Sequence, residues 1–198
     1  LECLYTDSHS KSCLGKIAKI ISRIGLKSRS LTKLIRRNVD IPNDRIKAYD
    51  GLQLKLLFIS LFKKSPFTTS ATIFQGSGKK YVTWGVGDAD WLYNMFIENI
   101  EFVRYAKKNG LKVLADIYEN PYIFRELIDE IDAHPEFEPI SYEKKSQEAQ
   151  AVLREKYVDE LLLLADQYLI PSQYVADCLR RSPNFDENKV NIIPYVSS

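Results

Sequence analysis

Short apolar runs alternate along the chain with stretches whose apolar residues recur every three or four positions, the pattern of strands interleaved with amphipathic helices. Leu1 to Tyr5 reads as a strand that meets a Thr6-Asp7-Ser8 turn. Ile17, Ile20, Ile21 and Ile24 then recur at helical spacing with lysines and arginines between them, and Gly25 closes the pattern. Leu31, Leu34 and Ile35 suggest a shorter helical piece before Ile41-Pro42. The segment from Arg45 to Tyr49 is expected as a brief strand, Leu52 to Lys63 as a helix with an almost continuous apolar surface, and Phe67 to Ser70 as a loop.

Tyr81 to Trp84 reads as the next strand, followed by a Gly85-Val86-Gly87-Asp88-Ala89-Asp90 turn. Leu92, Met95, Phe96, Asn99, Val103 and Ala106 follow a period near 3.6, which predicts a helix capped by Asp90 and stopped at Asn109-Gly110. Lys112 to Ile117 predicts a buried strand with Tyr118-Glu119-Asn120-Pro121 as the loop at its carboxyl end. Helices are expected over Tyr122 to Ile131 and Ser146 to Leu164. Gln167 to Ile170 is a strand that must stop at Pro171, which has no N–H for a ladder, and Ser172 is placed to cap the helix that follows. A second strand ending at Pro194-Tyr195 completes a β-α-β unit. The alternation as a whole predicts α/β architecture with a mainly parallel sheet.

Composition adjusts this picture only in places. The chain has 198 residues, 45% of them hydrophobic, enough for one compact domain, and a formal net charge of +2 gives no sign of nucleic-acid binding. The charge is unevenly spread: up to Lys47 the acidic residues are only Glu2, Asp7, Asp40 and Asp44, against a long series of lysines and arginines. Cys3, Cys13 and Cys178 form no CxxC pair, which argues against a metal centre or disulfide framework and suits a reducing compartment. No apolar run reaches the roughly 20 residues that cross a bilayer, so a cytoplasmic protein is expected. The chain opens on Leu1 in what reads as mid-strand, and a piece of a longer protein is expected.

In open parallel sheets ligands bind beyond the carboxyl ends of the strands. Three loops qualify on the sequence: Gly85 to Asp90, Tyr118 to Pro121, and Pro171-Ser172. Asp88 and Asp90 offer carboxylates to ligand hydroxyls beside two glycines, with helix capping as the competing role for Asp90. Tyr118, Glu119 and Asn120 can all hydrogen-bond a polar ligand, although Asn120 before Pro121 also fits a plain helix start. Ser172 is a cap or a ligand contact. The loop lacks the third glycine of a dinucleotide fingerprint, which disfavours a nicotinamide enzyme. His9 and His134 sit in polar contexts and read as exposed. The basic helix over 16–24 is either a solvated face on a packed helix or a surface drawn to anionic membrane.

The stretch ADQYLIPSQYVADCLRRSPNFDENKVNIIPYVSS, residues 165–198, closely resembles the end of the N-terminal domain of family 4 glycosyltransferases, where "adxxixPSxyvxxxl" precedes "kvxviPyGvd". The resemblance is looser over 81–121, and Val196 stands where the family has glycine. It implies a Rossmann-like three-layer domain, one half of a GT-B fold, that binds the acceptor. It further implies retaining transfer from a nucleotide-sugar donor to a glycan or lipid-linked acceptor, no cofactor or essential metal, and a C-terminal domain holding most of the donor site. The family's matching loop often bears a histidine where this chain has Tyr118 to Asn120. Glu130 and Glu138 reproduce the family's glutamate spacing but in the wrong context, and read as coincidence. A Rossmann-like binding or regulatory module without catalysis is the alternative from another class.

Overall fold

A computed structural model describes residues 3–6, 10–25, 29–36, 41–51, 77–95, 97–136 and 141–194. The helix expected over 52–63, the loop over 67–70, His9 and Glu138 lie outside them. By its internal contacts the chain divides into two units, Leu1–Asp88 and Ala89–Ser198.

In the first unit, β1 (Leu4–Thr6) pairs in parallel with β2 (Ile46–Ala48), Tyr5 opposite Lys47. Helix α1 (Cys13–Arg23) begins where Ser12 caps it through Oγ, which accepts the Gly15 N–H at 3.3 Å. Asp50 reinforces that start: its carboxylate accepts the Ser12 hydroxyl at 2.6 Å and the Leu14 N–H at 3.0 Å, placing negative charge at the positive end of the helix. Helix α2 (Arg29–Arg36) follows. Residues 77–84 form a third helix, α3, rather than the strand that Tyr81 to Trp84 predicted. The reason is at its end: Gly85, at φ +72°, donates to the carbonyls of Tyr81 and Val82, a left-handed stop only glycine makes without strain. Tyr5, Tyr81 and Trp84 pack ring on ring, the Lys47 ammonium sits 5.3 Å from the Tyr5 ring centre, and it donates to the Trp84 carbonyl.

The second unit is a four-stranded, all-parallel sheet in the order β3 (Trp91–Asn94), β4 (Lys112–Asp116), β5 (Gln167–Ile170), β6 (Val190–Ile192). Its helices are α4 (Ile100–Lys108), α5 (Ile123–Ala133), α6 (Ser141–Leu164) and α7 (Gln173–Leu179). The α/β class with a parallel, Rossmann-like sheet is therefore as predicted. Strand order matches chain order, so right-handed crossovers place the connecting helices on one face. Val113, Ala115, Tyr168 and Ile170 point to that face and are buried against Val103, Val158, Leu161, Leu162 and Leu179. The alternate residues Leu114, Asp116 and Leu169 are half-buried on the other face, where Trp91 and Tyr93 are exposed.

The helix predicted from Asp90 is instead two elements. Trp91 to Asn94 runs as a strand against Lys112 to Ala115, and regular helix begins only after a 3₁₀ turn at Ile97–Asn99. Leu92 and Asn99 fell into helical register with Val103 by coincidence, while the aromatic run Trp91-Leu92-Tyr93 carried the strand preference. Asp90 caps nothing; its carbonyl opens the ladder by accepting the Lys112 N–H at 2.9 Å. The predicted stop is present, with Gly110 at φ +83°.

Burial of each large apolar side chain here contributes about 1.5–3 kcal/mol, against about 0–1 for surface pairs such as Arg104–Glu160 and Arg125–Glu155, so the core decides stability. Register is another matter. Asp166, just before β5, accepts the Lys107 ammonium at 2.8 Å and the Val113 N–H at 2.7 Å, while its own N–H reaches the Val113 carbonyl at 2.9 Å. No helix among the described residues is long and apolar enough to cross a membrane.

Half-exposed Asp166 and the buried Tyr122 and Tyr168 make stability depend on pH at opposite extremes. Burial works to raise the Asp166 carboxyl, but the bonds from Lys107 and Val113 and the charges of Lys107 and Lys189 outweigh it and hold the pKa below the usual carboxylate value. Its contribution is present at neutral pH and lost as pH falls through that lowered pKa. Solvent screening of this half-exposed carboxylate limits the cost of Asp166→Ala to about 1 kcal/mol in urea denaturation at neutral pH, shrinking as the solution is acidified, and a loss that does not change with pH would contradict this role. At the other extreme, burial pushes the phenols of Tyr168 and Tyr122 up to about 12, with the charges of Asp159 and Glu155 adding at Tyr122. Unfolded tyrosine titrates near about 10, so stability is complete below that value and declines as pH rises toward about 12. Circular dichroism and tyrosinate absorbance should change together in that window; phenols all titrating at the lower value with the helices intact would contradict it.

Candidate functional site

Because β3 to β6 are parallel, their carboxyl ends bring Met95, Tyr118 to Pro121, Pro171-Ser172 and Ile193-Pro194 to a single edge of the second unit. A shallow recess lies there between the ends of β3 and β4. Its wall is polar and charged: Asp116, Tyr118, Glu119 and Glu98, with Arg154 reaching in from α6 and Met95, Ile97 and Ile117 supplying apolar surface.

Arg154 organises the recess. Three residues after buried Ala151 and four before buried Val158, it occupies the core-facing stripe of its helix, and its side chain is only 12% exposed. The guanidinium lies 5.4 Å over the Phe124 ring and pairs with the Glu119 carboxylate. Its buried Nε has no hydrogen-bond partner among the described residues, and an unsatisfied donor of this kind costs about 1–3 kcal/mol. Asp116 accepts the Tyr93 hydroxyl across the strand pair. Three carboxylates against one arginine leave the recess acidic, which suits hydroxyl donors and repels anions.

The predicted residues divide cleanly. Tyr118 and Glu119 line the recess as expected from the loop after β4. Asn120 lies beside them, but it is buried and committed: Oδ1 accepts the Tyr122 N–H at 2.9 Å, and Nδ2 donates to Glu126 at 2.7 Å and to Tyr174 Oη at 3.1 Å. It fixes the chain for α5, the helix-start role. Hydrogen bonding with Cys178 raises the Tyr174 pKa, and the Asn120 contact opposes that shift. Ser172 lies on the same edge and caps α7 by accepting the Val175 N–H at 3.4 Å. Asp88 and Asp90 are a correction. With 77–84 helical and β3 starting at Trp91, their loop enters the sheet at the amino end of β3, so the argument that put them in the crevice lapses. His134 terminates α5 and is half-exposed beside Glu130 and Glu136, as its sequence context indicated.

Sequence reasoning missed Arg154, Glu98 and Asp116. For Arg154 a signal existed: an arginine interrupting the Ala151, Val158, Leu161 stripe of a helix is a charged group where apolar packing is due. No group of histidine, cysteine or carboxylate side chains among the described residues is arranged to hold a metal ion. Family models match no part of the chain, and a search of curated proteins returns no match.

Asn120 and Ser172 should differ in weight. Asn120→Ala leaves the Tyr122 N–H buried without its acceptor and should cost about 1–2 kcal/mol, whereas Ser172→Ala removes one long cap bond and should cost about 1 kcal/mol or less. Chemical denaturation of the two variants decides, and a neutral Asn120→Ala would rule out the clamp.

Proposed function

We propose that this chain is the acceptor-binding, N-terminal α/β domain of a retaining GT-B glycosyltransferase of family 4, moving a sugar from a nucleotide-sugar donor to a glycan or lipid-linked acceptor. The observation that carries the reading is the closing unit: the residues that resemble the family signature, Ile170-Pro171-Ser172 and Val190 to Pro194, fall at a strand end, a helix cap and a parallel strand. The recess supports it on chemical grounds. Its carboxylates accept hydroxyl protons, Arg154 donates, and the Tyr118 ring offers an apolar face to sugar C–H groups.

In this role the domain supplies orientation. Holding an acceptor hydroxyl at the strand ends, close to the donor's anomeric carbon, turns a bimolecular encounter into a positioned one, and effective molarities for such positioning are large. The donor nucleotide belongs to a second domain, so this chain alone binds acceptor and turns nothing over. No nucleic acid and no cofactor is involved in this scheme.

The test uses the full-length protein with a panel of radiolabelled nucleotide sugars. Hydrolysis or transfer of at least one is expected, and Arg154→Ala should lower kcat/KM by about tenfold to a hundredfold, the worth of one or two charge-assisted hydrogen bonds. No binding and no turnover across the panel would end the transferase reading; saturable binding without turnover would convert it to the non-catalytic module.

A further inference from the structure

Of the isoleucines spaced along α1 and its C-cap, Ile21 is half-buried, but Ile17, Ile20 and Ile24 mark an apolar face that the protein does not bury. Gly15 and Ala18 are the buried residues, while Ile17, Ile20 and Ile24 are 45%, 59% and 70% exposed. Positions i, i+3 and i+7 make one continuous stripe along two turns, with Lys16, Lys19 and Arg23 along its flank. Single exposed apolar residues are ordinary; an aligned stripe bordered by cations is not. From Ser8 to Val39 the sequence carries no carboxylate at all, while α2 adds Arg29, Lys33 and Arg36.

We propose that α1 is a membrane-surface helix that lies flat on an anionic bilayer, its isoleucines among the acyl chains and its lysines and arginine at the phosphate level. Charge selects this occupant. Ile17, Ile20 and Ile24 would suit any apolar partner, but a basic helix with no acidic residue meets self-repulsion from a second copy of itself and attraction from an anionic leaflet. Each side chain finds its preferred depth there: isoleucine just below the headgroups, and long lysine and arginine stems extended toward them. The proposal is independent of the transferase reading, since it concerns the first unit alone.

Co-sedimentation with vesicles tests it, comparing phosphatidylcholine alone with phosphatidylcholine containing phosphatidylglycerol. The protein should pellet with the anionic vesicles and remain in solution with the neutral ones, less so as salt rises. Each cation near an anionic surface contributes about a fivefold factor, so Lys16→Gln, Lys19→Gln and Arg23→Gln together should weaken binding about a hundredfold. Ile17→Ser, Ile20→Ser and Ile24→Ser together should also abolish pelleting while leaving circular dichroism unchanged, because the three side chains are exposed. Equal pelleting with both vesicle types overturns the proposal, and so does binding that survives the serine changes. A dimer in light scattering that the serine changes dissociate, without vesicle binding, assigns the stripe to a second copy and also overturns it.

Discussion

Asp166 ties together more of the second unit than its size suggests, because a single carboxylate answers both the ammonium at the end of α4 and the backbone N–H near the start of β4. Its main chain bonds back to Val113 as well, so β4 and β5 are pinned at one residue pair before their ladder begins. A slip by one residue would turn Val113, Ala115, Tyr168 and Ile170 outward and break the core. The apolar face supplies the energy and the aspartate supplies the alignment. Everything at the carboxyl edge inherits its position from that alignment, since Tyr118 and Glu119 are only a few residues beyond the same strand.

The recess depends on it in turn. Arg154 is held by packing on α6 and against Phe124, whereas Glu119 is held by the loop after β4, and the two meet only if helix and strand keep their relation. Asn120 secures the loop from the opposite side by bonding to α5 and α7 at once. A surface that selects among hydroxyl groups needs such fixed donors and acceptors, because a hydrogen bond depends on direction as well as distance. The acidic balance of the recess and the basic helix of the first unit also divide the chemistry of the chain, with hydroxyl groups suited to one and anionic surface to the other.

Much of the fold was legible because local pattern and tertiary demand agreed. Lys112 to Asp116, the Pro171 stop, the Ser172 cap and the Gly110 turn each follow from the residues in place, and the parallel α/β class follows from their alternation. Between 77 and 99 the two disagreed. Tyr81-Val82-Thr83-Trp84 has strand-forming side chains, yet it ends in a glycine-stopped helix, and Trp91 to Asn94 is a strand whose spacing continues that of the next helix. Asp88 and Asp90 were misplaced for that reason alone. In the site, Tyr118 and Glu119 were readable because a loop after a buried strand has only one edge to go to. Arg154 comes from 35 residues further along, and its meeting with Glu119 is a fact of packing that no local spacing encodes. The same holds for α1, where periodicity found the stripe but could not say which side of the helix the protein would cover.

The order of the strands also bears on how the second unit comes into being. The connection from β5 to β6 runs through residues 171–189, with α7 and a 3₁₀ turn at Glu187–Lys189, while that from β4 to β5 runs through 117–166 and includes α5 and α6. Closing the longer connection costs only about 1 kcal/mol more in chain entropy, so loop length alone does not rank the two events. Nor does local packing rank them, because β5 and β6 have α7 beside them while Val113 and Ala115 of β4 have Val103 of α4. Each end of the sheet thus has a strand pair and a helix of its own, and the two halves meet at the β4–β5 ladder that Asp166 aligns.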